Sequence, residues 1–266
     1  MHIKVIKGNC SIYQGSKCLK YVGKSREEAE FLLEIMGKRP DLLLGRSNAQ
    51  AIVEYRRVKR KLALEQIEPS QITLRLGDFR ELIKDLGDDS IDLVLTDPPY
   101  SKEYLPLWKD LAREAARVLK PGSFLIVYSG QAHLLEVLNM LSQYLEYYWL
   151  GMLYHKGPTG QRFEVNMWNR AKPILFYQKP PHQKQSLWLE DVILSEAPDK
   201  DNHRWGQSIE PLSKLIEVFC PQNGIVLDPM AGGCSVIEAA SITRRQVIAY
   251  EIDMDAYQKA KERFSL

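Results

Sequence analysis

The chain has 266 residues, 45% hydrophobic and 26% charged, with a formal net charge of +2. This is the make-up of a globular protein with a real core, built as one large domain or as a domain with an appendage. There is no run of about 18 apolar residues and no signal-peptide pattern at the start. Cys10, Cys18, Cys220 and Cys234 lack CxxC spacing. Together these features argue against a membrane span, secretion, a disulfide framework and a metal site, and for a cytoplasmic chain.

Charge is unevenly spread. Residues 1–70 hold 14 Lys and Arg against 8 Asp and Glu, a basic segment compatible with nucleic acid and equally with a solvated helical face. Ser25-Arg26-Glu27-Glu28 has the form of a capping box. The apolar run Phe31, Leu32, Leu33, Ile35 and Met36 follows, and Gly37 and Pro40 supply stop signals. A second box, Ser47-Asn48-Ala49-Gln50, opens a helix with the apolar stripe Ala49, Ile52, Tyr55, Val58 and Leu62. Arg56, Arg57, Lys59, Arg60 and Lys61 crowd its remaining surface. Two helices with a short connection suit a helix-turn-helix-like DNA element or a helical cap on the core. The expectation is a basic, mainly helical extension over 1–70 and a second domain over 71–266.

From residue 72 strands and helices alternate. Strands are expected at 72–76, 92–96, 124–129, 147–155, 173–179, 224–228 and 246–251, with helices near 79–86, 104–119, 131–146, 209–219 and 235–242. Residues 180–206 read as polar and irregular. Alternation of this kind implies a mostly parallel sheet covered on both faces.

Such sheets bind ligands at the carboxyl ends of their strands, and three ends are chemically loaded. In Leu227-Asp228-Pro229-Met230-Ala231-Gly232-Gly233-Cys234-Ser235 a strand leads through a glycine turn to a helix start, where small residues admit a ligand to the backbone. Glu251 closes the next strand 23 residues after Asp228, the spacing at which an acidic residue accepts the ribose hydroxyls of an adenosine-containing cofactor. No Lys follows the glycines, so the ligand reads as a nucleoside without a phosphate chain. The plain alternative for Glu251 is an exposed strand-end carboxylate. The third end, Thr96-Asp97-Pro98-Pro99-Tyr100, delivers a carboxylate, two prolines with φ fixed and carbonyls turned outward, and an aromatic ring. That is a rigid acceptor pair beside a flat face, suited to a planar molecule carrying an NH₂ group. Its plain alternative is a turn with a surface tyrosine.

Asp97-Pro98-Pro99-Tyr100, with Gly77-Asp78 upstream and the Asp228 glycine turn downstream, resembles the amino-methyltransferases of DNA. These are S-adenosylmethionine-dependent enzymes that methylate adenine N6 or cytosine N4. The target motif precedes the cofactor motif, as in their β-type circular arrangement, and the likeness spans about residues 72–264. Tyr104–Trp108 and Asp199–Ser208 are similar to a phage and mobile-element branch. The resemblance implies a Rossmann-like α/β fold with a mostly parallel seven-stranded sheet in circularly permuted order and a small helical N-terminal extension. It implies that Asp97 and the Pro98 carbonyl bind the target amine, that Pro99 belongs to the same rigid turn, and that Tyr100 stacks on a flipped-out base. By the same resemblance Asp228, Pro229, Met230, Ala231, Gly232, Gly233 and Glu251 hold S-adenosylmethionine, and Asp78 contacts its adenine. Gln207 and Ser208 sit where the family contacts the methionine end.

Two positions depart from the family pattern: Met230 stands for a common Phe, and Gly233-Cys234 for the usual Ser-Gly. Asp at the first motif position accompanies adenine more often than cytosine, so adenine N6 in double-stranded DNA is the expected target. Lys156, Arg162 and Arg170, with Arg56, Arg57 and Arg60 of the basic helix, are the expected phosphate contacts, and residues 180–206 a short recognition segment. A homodimer, which β-type enzymes often form, is the other source of such contacts. No metal and no covalent cysteine intermediate are required. Cytosine N4, RNA, and a DNA-binding or regulatory protein whose fold has lost turnover stay open, as do restriction-modification and regulation as roles.

Overall fold

The computed structural model describes residues 1–6, 9–14, 17–23, 26–64, 68–155, 160–195 and 209–266. The chain divides into two compact units, Met1–Gln66 and Ile67–Leu266.

The first unit opens with an antiparallel sheet of β1 (His2–Ile6), β2 (Asn9–Gln14) and β3 (Lys17–Gly23), in that order. The sequence predicts only helices in this segment, so the sheet is an addition to them. Its signal was the alternation Ile3-Lys4-Val5, which short lysine-rich strands carry only weakly. Helices α1 (Arg26–Lys38) and α2 (Asn48–Leu64) follow, and Leu32, Ile35, Ile52 and Tyr55 share a core with Ile12 of β2. Of the two expected capping boxes, Ser25 lies outside the described residues. The second forms: the Ser47 N–H donates to Gln50 Oε1 at 2.9 Å, and the Gln50 N–H to Ser47 Oγ at 3.3 Å. The expected stripe on α2 is shifted, because Ala51 is buried while Ala49 and Leu62 are exposed. The backbones of Arg56, Arg57 and Arg60 belong to α2, but their side chains lie outside the described residues, as do Lys156, Gln207 and Ser208.

The second unit holds β4 (Ile72–Leu76), α3 (Phe79–Leu82), β5 (Ile91–Thr96), α4 (Leu105–Val118), β6 (Leu119–Tyr128), α5 (Leu134–Leu141) and β7 (Glu146–His155). There follow β8 (Gly160–Arg162), β9 (Met167–Asn169), β10 (Ala171–Gln178), β11 (Val192–Ser195), α6 (Ile209–Phe219), β12 (Ile225–Asp228), α7 (Ser235–Ile242), β13 (Gln246–Glu251) and α8 (Met254–Phe264). The sheet has eight strands in the order β11-β7-β10-β6-β5-β12-β13-β4. Only the two pairings of β10 are antiparallel. The expected count of seven is corrected by β11, a parallel edge strand in the stretch read as irregular. Four residues are too few to show a period, yet Ile193 and Ser195 alternate inward. Among the described residues the small β8–β9 hairpin pairs only with itself.

All six residues of β5 are buried, as a central parallel strand covered on both faces requires. Trp108, Leu111, Ala112, Ala115 and Val118 form the buried stripe of α4. From β5 the chain crosses to β6 on one side, and from β12 to β13 on the other. The sheet therefore splits at its carboxyl edge between β5 and β12, where an open α/β sheet leaves a crevice. Truncating Leu227, fully buried in β12 and packed in this core, to Ala removes packing that its neighbours cannot refill. Leu227→Ala should destabilise the second unit by about 2–5 kcal/mol in denaturant unfolding.

Candidate active site

A cleft of about 810 Å³ opens at that split. Its walls are Gly77–Arg80 after β4, Thr96–Tyr100 after β5, Asp228–Gly233 after β12 and Glu251–Ile252 after β13, with Tyr128 from β6 and Lys172 from β10. It thus gathers Asp78, Asp97, Pro98, Pro99, Tyr100, Asp228, Pro229, Met230, Ala231, Gly232, Gly233 and Glu251 from four separate strand ends. Arg162 and Arg170 are exposed on and beside the β8–β9 hairpin and do not line it.

On the β12 side, Asp228 is 2% exposed. Its Oδ1 accepts from Thr96 Oγ1 at 2.7 Å and from the Met230 N–H at 3.2 Å. Burial pushes the carboxyl up to about 7 against the pull of those bonds, and the charges of Glu251 and Asp97 add to the rise. Glu251 accepts the Gly232 N–H on one oxygen and the Asp253 N–H on the other. The carboxylate is locked against the glycine turn and keeps lone pairs for further donors. Gly232 has φ +49° with open space where a Cβ would stand.

Cys234, the N-cap of α7, adopts φ 56° and ψ 30°. The turn therefore demands a left-handed residue where this chain has no glycine. Cys234 accommodates it with its N–H on the Ala231 carbonyl at 2.7 Å. Burial pushes its thiol up to about 12, so it carries no thiolate for nucleophilic work. Arg263 of α8 pairs with Glu238, which is fully buried in α7, and reaches the Gly233 carbonyl at 3.4 Å.

On the β5 side, Asp97 Oδ1 accepts the Tyr100 hydroxyl and Oδ2 accepts Lys172 Nζ at 2.8 Å. Burial and the neighbouring Asp97 charge hold the Tyr100 phenol far above its ordinary range, so it is a neutral donor. The turn is pinned by Trp108, whose indole N–H donates to the Pro99 carbonyl at 3.2 Å. Gly130 gives Tyr100 its place, since a Cβ there would stand 2.9 Å from Tyr100 Cβ. Asp78 N-caps α3 through the Arg80 N–H. The Arg80 guanidinium engages the same carboxylate and holds it below the usual range.

Tyr128, Gly130, Lys172 and Arg263 were not singled out in the sequence, and Thr96 and Trp108 stood there only within longer motifs, with no role of their own. Lys172 and Arg263 left a trace there: a lysine heading the otherwise apolar run of β10, and an acidic residue inside the apolar α7 that needs a cation. Among the described residues no group of three or more His, Cys, Asp or Glu is placed to hold a metal ion, and no helix is long and apolar enough to cross a membrane.

The cleft fits an S-adenosyl nucleoside. It offers a fixed carboxylate for vicinal hydroxyls, an open glycine turn, the apolar side of Met230 for a purine, and acidic groups where a sulfonium cation would lie. A family model described as DNA methylase matches residues 91–262. The type II methyltransferase M.HpaI of Haemophilus parainfluenzae is 21% identical over 220 residues, covering 68% of this chain and 70% of that one. The structure of an M1.HpyAVI–SAM complex superposes with a TM-score of 0.62 at 22% identity, over 73% of this chain and all of the other. That of the cytosine-N4-specific PvuII DNA methyltransferase reaches 0.65 at 14%, over 73% of this chain and 88% of the other.

Two variants test the cofactor side. Asp228 titrates in the folded state near 7, above its ordinary carboxyl range. Its contribution to stability is therefore full at acid pH and is lost as pH rises through about 7. Asp228→Asn keeps the Oδ1 acceptor without the charge, so its Tm relative to wild type should climb between pH 4 and 7 and then level off; a constant difference would contradict the burial argument. At Cys234 a β-branched side chain resists the left-handed conformation, so Cys234→Val should lose about 1–2 kcal/mol more than Cys234→Gly in unfolding.

Proposed function

The chain belongs to the DNA methylase family, and from that premise we propose that it moves a methyl group from S-adenosylmethionine to the N6 amine of adenine in DNA. The observation that carries the proposal is the meeting, in one cleft, of the Asp97–Tyr100 turn with the Asp228–Glu251 cradle. Adenine is preferred over cytosine because the turn begins with Asp97, the residue that goes more often with adenine in the family.

S-adenosylmethionine, when bound, supplies an electrophilic methyl group on sulfur. The residues of the chain do the rest. Glu251 takes the ribose hydroxyls, Asp78 and Met230 border the adenine, and Asp228 with the Ala231–Gly233 turn fixes the other end; Gln207 and Ser208 are assigned to the methionine portion. Asp97 and the Pro98 carbonyl accept the two N–H bonds of the target amine. An amine held by two such acceptors in tetrahedral geometry has its lone pair localised on nitrogen rather than spread into the ring. That pair forms the new N–C bond in line as the C–S bond breaks, and the surplus proton leaves along the Asp97 hydrogen bond. Positioning and electrostatics supply the acceleration.

A base in a duplex must first be flipped out, at a cost of a few kcal/mol. Stacking on Tyr100 offsets about 1–3 kcal/mol of this. Arg162 and Arg170 stand beside the exposed Phe163 and Trp168 of the β8–β9 region. With Lys156 and the basic Arg56, Arg57 and Arg60 they are the proposed DNA contacts, and residues 180–206 the proposed recognition segment.

The test is incubation with unmethylated DNA and methyl-labelled S-adenosylmethionine, followed by digestion and separation of nucleosides. Label is expected in N6-methyladenine. Label in N4-methylcytosine would overturn the target while keeping the chemistry, and absence of label would overturn the activity. Asp97→Ala should lower kcat by about 100-fold or more with the affinity for S-adenosylmethionine, measured by calorimetry, unchanged.

A further inference from the structure

Lys172 enters the cleft from β10, across from the β5 turn. Its side chain is 22% exposed, and Nζ lies 2.8 Å from Asp97 Oδ2 and 5.2 Å from the ring centroids of both Tyr100 and Tyr128. A cation is thus held by one carboxylate oxygen and two aromatic faces, beside the ring on which a flipped base would stack. Asp97 Oδ2 and Lys172 Nζ form an acceptor and a donor side by side, at the separation of two parallel hydrogen bonds to neighbouring atoms of one planar molecule.

On their pairing edges adenine and cytosine share one feature. An exocyclic NH₂ stands next to a ring nitrogen that bears a lone pair and no hydrogen. Guanine and thymine present a ring N–H there, a donor that would face the ammonium and leave both groups unpaired.

We propose that Lys172 is a specificity-determining residue of the target pocket: it donates to the ring nitrogen beside the amine, adenine N1 or cytosine N3, while Asp97 accepts from the amine itself. The inference rests on the amino-methyltransferase reading above and deepens it. When the base arrives, the Nζ–Oδ2 bond is exchanged for two parallel bonds, so neither charge is stranded. Before that the pair satisfies itself and keeps the carboxylate in position. The ammonium draws density out of the ring, so its part is selection and orientation of the base; transfer stays with Asp97 and the Pro98 carbonyl.

The experiment begins with a methylated site mapped using the wild-type protein. Duplexes are then made with the natural base at that site or with 1-deazaadenine (3-deazacytosine if the label falls in cytosine), in which C–H replaces the ring nitrogen. The wild type should lose about 10- to 100-fold in kcat/KM on the deaza duplex. Lys172→Met should lose a similar factor on the natural base and then be indifferent to the exchange within about twofold. Lys172→Gln, which keeps a neutral donor, should recover part of the loss. Equal sensitivity to the deaza base in wild type and Lys172→Met, or full activity of Lys172→Met, overturns the inference. Unchanged affinity for S-adenosylmethionine shows that the variant is folded. Should it not fold, the wild-type comparison decides alone, and a wild type blind to the exchange overturns the inference. A wild type that transfers no methyl to DNA overturns the amino-methyltransferase reading and this inference with it, a result distinct from an active enzyme that ignores the ring nitrogen.

Discussion

One buried hydrogen bond holds the two halves of the site in register. Thr96 Oγ1 donates to Asp228 Oδ1 at 2.7 Å across 132 residues of sequence. Thr96 is the last residue of β5 and Asp228 the last of β12, so the bond joins the two strand ends from which the target turn and the glycine turn depart. The backbone pairing beneath it, Val226 with Leu93 and Leu227 with Val94, sets the strands side by side, and the hydroxyl fixes the last step. Its position in the interior makes it stiff, because a broken buried bond leaves an oxygen with no water to turn to.

The same frame explains how a cleft so rich in carboxylates holds together. Each acid is tied by a different device. Asp228 is buried on a hydroxyl and a backbone N–H, Glu251 is clamped by two backbone N–H groups, Asp78 is engaged by Arg80, and Asp97 is shared by a phenol and an ammonium. Only the last two carry a full cationic partner. The β12–β13 side is therefore the more anionic part of the cleft and the Asp97 side the more compensated, which suits a cationic ligand on one side and a neutral ring on the other.

Much of this was legible in the sequence because strand ends in open α/β sheets announce themselves. Each of β4, β12 and β13 is a short run rich in Ile, Leu and Val that ends at Gly77-Asp78, Asp228-Pro229 or Glu251, and β5 is recognisable from its apolar centre Leu93-Val94-Leu95. The spacing from Asp228 to Glu251 carried the cradle. What escaped detection depends on distant partners. Lys172 acquires meaning only once β10 is laid antiparallel beside β6, and Gly130 only when Tyr100 turns over it. Short strands such as β11 and β1 lack the length to show a period. At Cys234 the sequence showed a departure from the family pattern, and only the backbone angles reveal that the turn keeps its left-handed bend without a glycine.

The strand order also bears on how the chain reaches this state. Among the described residues β4 lies at the sheet edge and pairs only with β13, whose sequence follows it by most of the second unit. During synthesis β4 has no neighbour until the last strand has emerged, while β5, β6, β10 and β7 can already pair among themselves. The first strand of the unit thus waits for the last, and the long loop closed between them slows assembly as high contact order does. The wall of the cleft that carries Asp78 is in place only when that final pairing zips, so the unfinished chain lacks one side of its cleft.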